Sequence, residues 1–162
     1  MSASPVILSY DGSEDAVVAI QRAAALFGPR PALVLVVWPR AHAQLAYGWP
    51  GMAYAQDLDA IDKAAAEGAA ELAEKGAALA REAGLDAEPL TMRASGPIWQ
   101  AILDVAEDRD AAAIVLGSRG LSGIKSLVLG SVSGAVVHHT TRPTLVVRHG
   151  CPAEDEDVAR AA

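Results

Sequence analysis

Between an apolar run that ends at Leu116 and a helical pattern that begins at Ser131, the chain places Gly117, Gly120, Gly123 and Gly130 among Ser118, Arg119, Ser122, Lys125, Ser126 and Ser131. Residues of these types at a strand-to-helix junction suit an anion. Glycines leave the backbone without Cβ atoms, so a ligand can lie against it. The unpaired N–H groups at a helix start, with the hydroxyls of Ser131 and Ser133, offer donors to phosphate oxygens. Arg119 or Lys125 can add charge-assisted contacts. The stretch is not a Walker A loop, because Ile124 separates Gly123 from Lys125. It is not a dinucleotide fingerprint either, since no GxGxxG follows the first strand. Taken alone, the glycines serve equally well as tight turns.

Asp11, in Asp11-Gly12-Ser13, has two readings: a helix N-cap, or a carboxylate facing a ligand. His138 and His139 fall near a helix end, while His42 and His149 stand apart, a pattern that suits surface or helix-end roles better than metal ligation or catalysis. No paired acid and base, nucleophile with its histidine, or metal cluster accompanies the glycine stretch, so no catalytic residue and no metal site is assigned. Cys151 is the single cysteine. It rules out an intrachain disulfide and reads as an exposed bystander.

The elements that must position these residues alternate. Residues 6–10 form strand 1 and stop at the turn-forming Asp-Gly-Ser; Val17, Ile20, Ala24 and Phe27 recur at helical spacing until Gly28-Pro29. Residues 32–38 are almost wholly apolar, as in a strand buried on both faces. Residues 39–54, with Tyr47, Trp49 and Tyr54, read as a loop or lid. Residues 55–83 read as a long helix with a stripe of Leu58, Ile61, Ala65, Leu72 and Leu79 that closes at Gly84. Strand 87–93, helix 98–109, strand 112–116, helix 131–140 and strand 144–147 follow. In the helices the expected inner faces are Ile98, Ile102, Val105 and Ala106, and then Val132, Ala135 and Val136. The pattern predicts an α/β, doubly wound parallel sheet with helices on both faces. Ligands in such folds bind beyond the carboxyl ends of the strands where the strand order reverses, here the loops after strands 1 and 4.

The 162 residues suit one compact domain, expected over 1–150, followed by an acidic and disordered tail at 151–162. A net charge of -7 argues against a nucleic-acid duplex as partner. The apolar run near the N-terminus is too short for a signal peptide, and no run approaches a membrane span. A soluble, cytoplasmic protein is expected.

The spacing Gly117-x2-Gly120-x9-Gly130-Ser131, with Asp11-Gly12-Ser13 at one end and Pro143-Thr144-Leu145-Val146-Val147 at the other, resembles the ATP-binding pattern of the universal stress protein family. The resemblance runs from Val6 to Val147. It implies a five-stranded sheet of order 3-2-1-4-5, of the adenine nucleotide alpha hydrolase-like type, with an adenine nucleotide between strands 1 and 4. ATP is the ligand it implies first, with AMP or cyclic AMP as alternatives and Mg²⁺ as a companion. It also implies a homodimer formed through the last strand. By position, Asp11 lies near adenine and ribose, and the Val37 backbone meets the adenine edge. Gly117 and Gly120 border ribose and phosphates with Arg119 between them; Gly130, Ser131, Val132 and Ser133 meet the phosphates. Trp38-Pro39 departs from the pattern and puts an indole beside the expected base pocket. The implied role is a non-catalytic sensor or regulatory module; slow ATP hydrolysis or adenylyl transfer is the enzymatic alternative. A bulky residue at Gly117 or Gly120 is expected to abolish binding and leave the fold intact.

Overall fold

The computed structural model describes residues 3–40, 58–120 and 129–149. Five parallel strands, β1 (Val6–Ser9), β2 (Pro31–Pro39), β3 (Asp86–Ala94), β4 (Ala113–Gly117) and β5 (Thr144–Val147), form one sheet of order β3-β2-β1-β4-β5. Four helices pack on it among the described residues: α1 (Glu14–Phe27), α2 (Leu58–Glu82), α3 (Ile98–Asp108) and α4 (Ser131–His139). The expected strand order and element sequence hold. Element ends move by a single residue at most, apart from the long helix; its expected first residues, residues 41–54 of the loop or lid expected at 39–54, Lys125 and the tail with Cys151 lie outside the described residues, while Pro39 closes β2.

The central strands carry side chains to both faces, which is why they read as unbroken apolar runs. Val6, Leu8, Val34, Val36 and Val115 face α1 and α2; Ile7, Leu35, Ile114 and Leu116 face α3 and α4. Each fully buried Ile, Leu or Val here contributes about 1.5–3 kcal/mol. Pro89 sits in β3, at the sheet edge, where a missing backbone N–H disturbs no central ladder.

The long helix departs from expectation. Its buried stripe is Ala69, Ala73, Ala77 and Ala80, all at most 5% exposed, while Leu72 and Leu79 are only partly buried. Small residues bring the helix axis close to the sheet, and Gly76 marks the tightest point. A Cβ there would lie 2.7 Å from both Tyr10 Cδ1 and Val34 Cγ1. On the outer side of the same helix, Gly68 has nothing within 4 Å of a built Cβ.

These two glycines separate packing from propensity. Gly76→Val is expected to destabilise by about 2–3 kcal/mol through overpacking. Gly68→Ala is expected to stabilise by up to about 1 kcal/mol, the helix-propensity gain alone. Urea denaturation midpoints of the two variants check both signs.

Candidate functional site

The strand order reverses between β1 and β4, so the chain leaves these two neighbours toward opposite faces and opens a crevice at their carboxyl ends. An open cleft with a cavity of about 200 Å³ lies there. Asp11, Val37, Gly117, Arg119, Gly120, Gly130, Ser131, Val132 and Ser133, the nine residues expected from sequence, all line it. Ser9, Tyr10, Ala16, Ile98 and Leu116 line it as well and were not expected.

Asp11 is not the N-cap of α1. That role belongs to Ser13, whose hydroxyl accepts from the Ala16 N–H at 3.3 Å. Asp11 instead accepts the Ser13 N–H at 2.9 Å through Oδ1, and Gly12, at φ +82°, makes the turn that carries it into the cleft. Its other oxygen would lie 2.8 Å from a Cβ at position 120. Glycine at 120 therefore leaves room for the Asp11 carboxylate. Tyr10, 6% exposed, has its phenol pKa raised by burial and by the neighbouring Asp11 charge.

Gly117 has a different physical reason. A Cβ there would lie 2.8 Å from Asp15 Cβ and 2.9 Å from the Ala16 nitrogen, so it is the first turn of α1 that requires glycine. The expectation that a bulky residue at 117 would spare the fold is thus corrected, because a helix backbone cannot swing aside as the tip of a side chain can.

The residue that the sequence reading missed is Asp15. It is 7% exposed and accepts the Ser118 hydroxyl at 2.8 Å, the Arg119 N–H at 3.1 Å and the His149 N–H at 2.8 Å. Its only signal in the sequence is an acid in the first turn of a helix, which the macrodipole favours anywhere. Burial pushes its carboxyl pKa upward, but the bonds from His149, Ser118 and Arg119, with the Arg119 charge, prevail and hold it below the ordinary 3.8.

Ser133 also differs from expectation. It is 3% exposed and its hydroxyl is committed to the Ser118 carbonyl at 2.9 Å, with the Gly130 carbonyl at 3.1 Å. It braces the loop, leaving Ser131, which is exposed, to offer a hydroxyl. Gly130 is the N-cap of α4 and supplies no side-chain cap, so the positive end of that helix faces the cleft without an internal carboxylate or hydroxyl acceptor.

The backbone of Val37 is open for a geometric reason. The Leu35 carbonyl accepts the Tyr10 N–H at 2.9 Å, so Leu35 directs its polar groups toward β1. Two residues on, Val37 directs its N–H and C=O the same way, beyond the point where β1 ends. Trp38 turns to the other face, packs with the α2 side of the core and lies 6.0 Å from the Arg93 guanidinium. It does not line the cleft.

Among the described residues lining the cleft, the titratable side chains are Tyr10, Asp11 and Arg119. Elsewhere among the described residues no group of three His, Cys, Asp or Glu is placed to hold a metal ion, and no helix is long and apolar enough to cross a membrane.

Comparison with known proteins places this geometry. The family model described as "Universal stress protein family" matches residues 4–148. Universal stress protein YxiE of Bacillus subtilis is 45% identical over 69 residues, covering 43% of this chain and 45% of that protein. The chain thus spans less than half the length of this curated relative. Among solved structures, MJ0577, from Methanocaldococcus jannaschii, superposes with a TM-score of 0.73 at 21% identity, over 91% of this chain and 97% of its own. A universal stress protein solved in complex with cAMP superposes at 0.60 with 22% identity, over 89% and 96%. One from Archaeoglobus fulgidus in complex with dAMP superposes at 0.58 with 23% identity, over 91% and 99%.

Two outcomes test this reading of the site. Gly117→Ala should cost about 1–3 kcal/mol as an overpacked contact, while Gly120→Ala should stay within about 0.5 kcal/mol, because only a carboxylate tip must move. Asp15→Asn should be less stable than the parent at neutral pH. Since folding lowers this carboxyl's pKa, the gap should be complete above 3.8 and close as pH falls through the lower folded value. Denaturant melts of the parent and Asp15→Asn from pH 7 to pH 2 measure it.

Proposed function

The chain belongs to the universal stress protein family, and from that premise we propose that its cleft binds an adenine nucleotide, ATP or a close relative, as a non-catalytic sensor or regulatory module. The observation that carries the proposal is the meeting of three recognition elements in one cleft: the Val37 backbone beyond the end of β1, the Asp11 carboxylate, held in place through one oxygen by the Ser13 N–H, and the uncapped start of α4.

Each element suits a different part of the ligand. Val37 offers one donor and one acceptor in a row, which complements the ring nitrogen and amino group on the adenine edge. Asp11 can accept from ribose hydroxyls. The N–H groups at Ser131, Val132 and Ser133, the Ser131 hydroxyl and the Arg119 guanidinium suit phosphate oxygens. Relatives of this fold solved with cAMP and dAMP support the adenine reading. ATP is favoured over AMP because the cleft offers donors both at Arg119 and at the start of α4. Mg²⁺, if it accompanies ATP, would be held by phosphate oxygens and water, with Asp11 the one carboxylate lining the cleft among the described residues.

The non-catalytic role rests on the cleft's chemistry. Tyr10, Asp11 and Arg119 provide no pair of groups arranged as general acid and base. A homodimer through β5 is part of the same proposal: β5 pairs with β4 on one side and, among the described residues, no strand pairs with its other edge, where an added strand can dock. A cytoplasmic setting, with its supply of adenine nucleotides, completes it.

Calorimetric titration of nucleotide-stripped protein with ATP, ADP, AMP and cyclic AMP, with and without Mg²⁺, tests the reading. ATP is expected to bind saturably, and Gly120→Val to weaken it by at least about a hundredfold, a loss of about 2.7 kcal/mol, with the melting temperature preserved. Absence of binding by all four ligands overturns the nucleotide assignment. Phosphate release that survives purification and disappears in Asp11→Ala would favour the enzymatic alternative.

A further inference from the structure

Building on that nucleotide reading, we propose that Asp15 is a positioning residue that couples occupancy of the cleft to the chain leaving β5. Neither Asp15 nor His149 lines the cleft. Yet the two oxygens of this one buried carboxylate serve different segments. Oδ2 accepts the Ser118 hydroxyl at 2.8 Å and the Arg119 N–H at 3.1 Å, and Oδ1 accepts the His149 N–H at 2.8 Å.

Ser118 makes the link stiff. Its N–H donates to the Val147 carbonyl at 2.6 Å, and its carbonyl accepts the Gly130 N–H at 2.8 Å and the Ser133 hydroxyl at 2.9 Å. The first turn of α1, the end of β5 and the start of α4 are therefore tied to one two-residue turn. That turn ends in Arg119, which lines the cleft and whose buried Nε has no acceptor among the described residues. A phosphate held by Arg119 orders the residue whose N–H Asp15 accepts, and that ordering of the 118–119 turn is passed on to the Asp15 carboxylate. Asp15 holds residue 149 through its other oxygen, and coupling of this kind is reciprocal: tightening one end strengthens binding at the other. Two further charged groups stand nearby. Glu14 Oε2 lies 3.8 Å from His149 Nε2, both largely exposed, and the Arg119 charge faces Asp15 from the loop. The exposed Glu14–His149 pair is a weak alternative tether.

The test is a double-mutant cycle on the full chain. His149→Pro removes the N–H at 149, His149→Ala keeps it while deleting the imidazole, and Asp15→Asn keeps the side-chain size while losing the charge. Calorimetry with ATP reads affinity, and NMR amide exchange reads Arg119 in every variant and residue 149 wherever it keeps an N–H. His149→Pro and Asp15→Asn are each expected to weaken ATP about fivefold or more, with the double variant no worse than Asp15→Asn alone. His149→Ala should match the parent. ATP should slow exchange at His149 in the parent and not in Asp15→Asn. Independent, additive effects, or unchanged affinity and Arg119 exchange in His149→Pro, overturn the coupling. If the parent binds no nucleotide, it is the functional reading that fails; faster Arg119 exchange in ligand-free His149→Pro, absent when Asp15 is already Asn, would still establish the structural link, and its absence would refute it. Amides of Thr144–Val147 report whether the strand remains folded in each variant.

Discussion

The first turn of α1 lies against the end of β4 so closely that a single Cβ at position 117 would strike its backbone. Much of the site depends on this contact. It puts Asp15 within hydrogen-bond reach of Ser118, Arg119 and His149, and so lets one carboxylate organise three segments that are far apart in sequence. A carboxylate that accepts several N–H and O–H groups keeps its charge even when buried, since the donors replace the water it has lost. The acid occupies a helix's first turn, where the macrodipole adds to the same effect.

The same economy of space governs the sheet's other half. Ala69, Ala73, Ala77 and Ala80 let α2 settle close to β2 and β3, and Gly76 admits the ring of Tyr10. Tyr10 is thereby fixed as the residue on which the chain turns from β1 into Asp11. Large side chains on that helix face would have filled the core equally well by area, but they would have held the helix farther off and left the turn after β1 less supported. Close packing by small residues is thus part of how the cleft is built, as well as how the fold is held.

The cleft that results is polar through its backbone more than through its side chains. Val37 offers main-chain groups because β2 outruns β1, and α4 offers N–H groups because glycine at its N-cap supplies no competing side chain. Main-chain donors are rigid and carry no rotamer entropy, so a site made from them is organised before the ligand arrives.

The sequence by itself determined the element order and, through its resemblance to the universal stress protein family, suggested the nine residues expected around the cleft. Hydrophobic periodicity and glycine spacing are local signals that the chain carries in any conformation. It also led to the site's position, because parallel sheets open where their strand order reverses. Tertiary structure alone decided the reasons behind the residues. Gly117 and Gly120 look alike in the sequence, yet one clears a helix backbone and the other a carboxylate. Asp11 and Ser13 are both good N-caps by type, and only the turn at Gly12 assigned that role to Ser13. Ser133 became a brace, Trp38 faced away from the cleft, and alanines displaced leucines as the inner stripe of α2. Asp15 could not have been singled out, since its three donors come from positions 118, 119 and 149. A hydrogen bond across more than a hundred residues leaves no periodicity to read; it exists only once the sheet has brought those loops together.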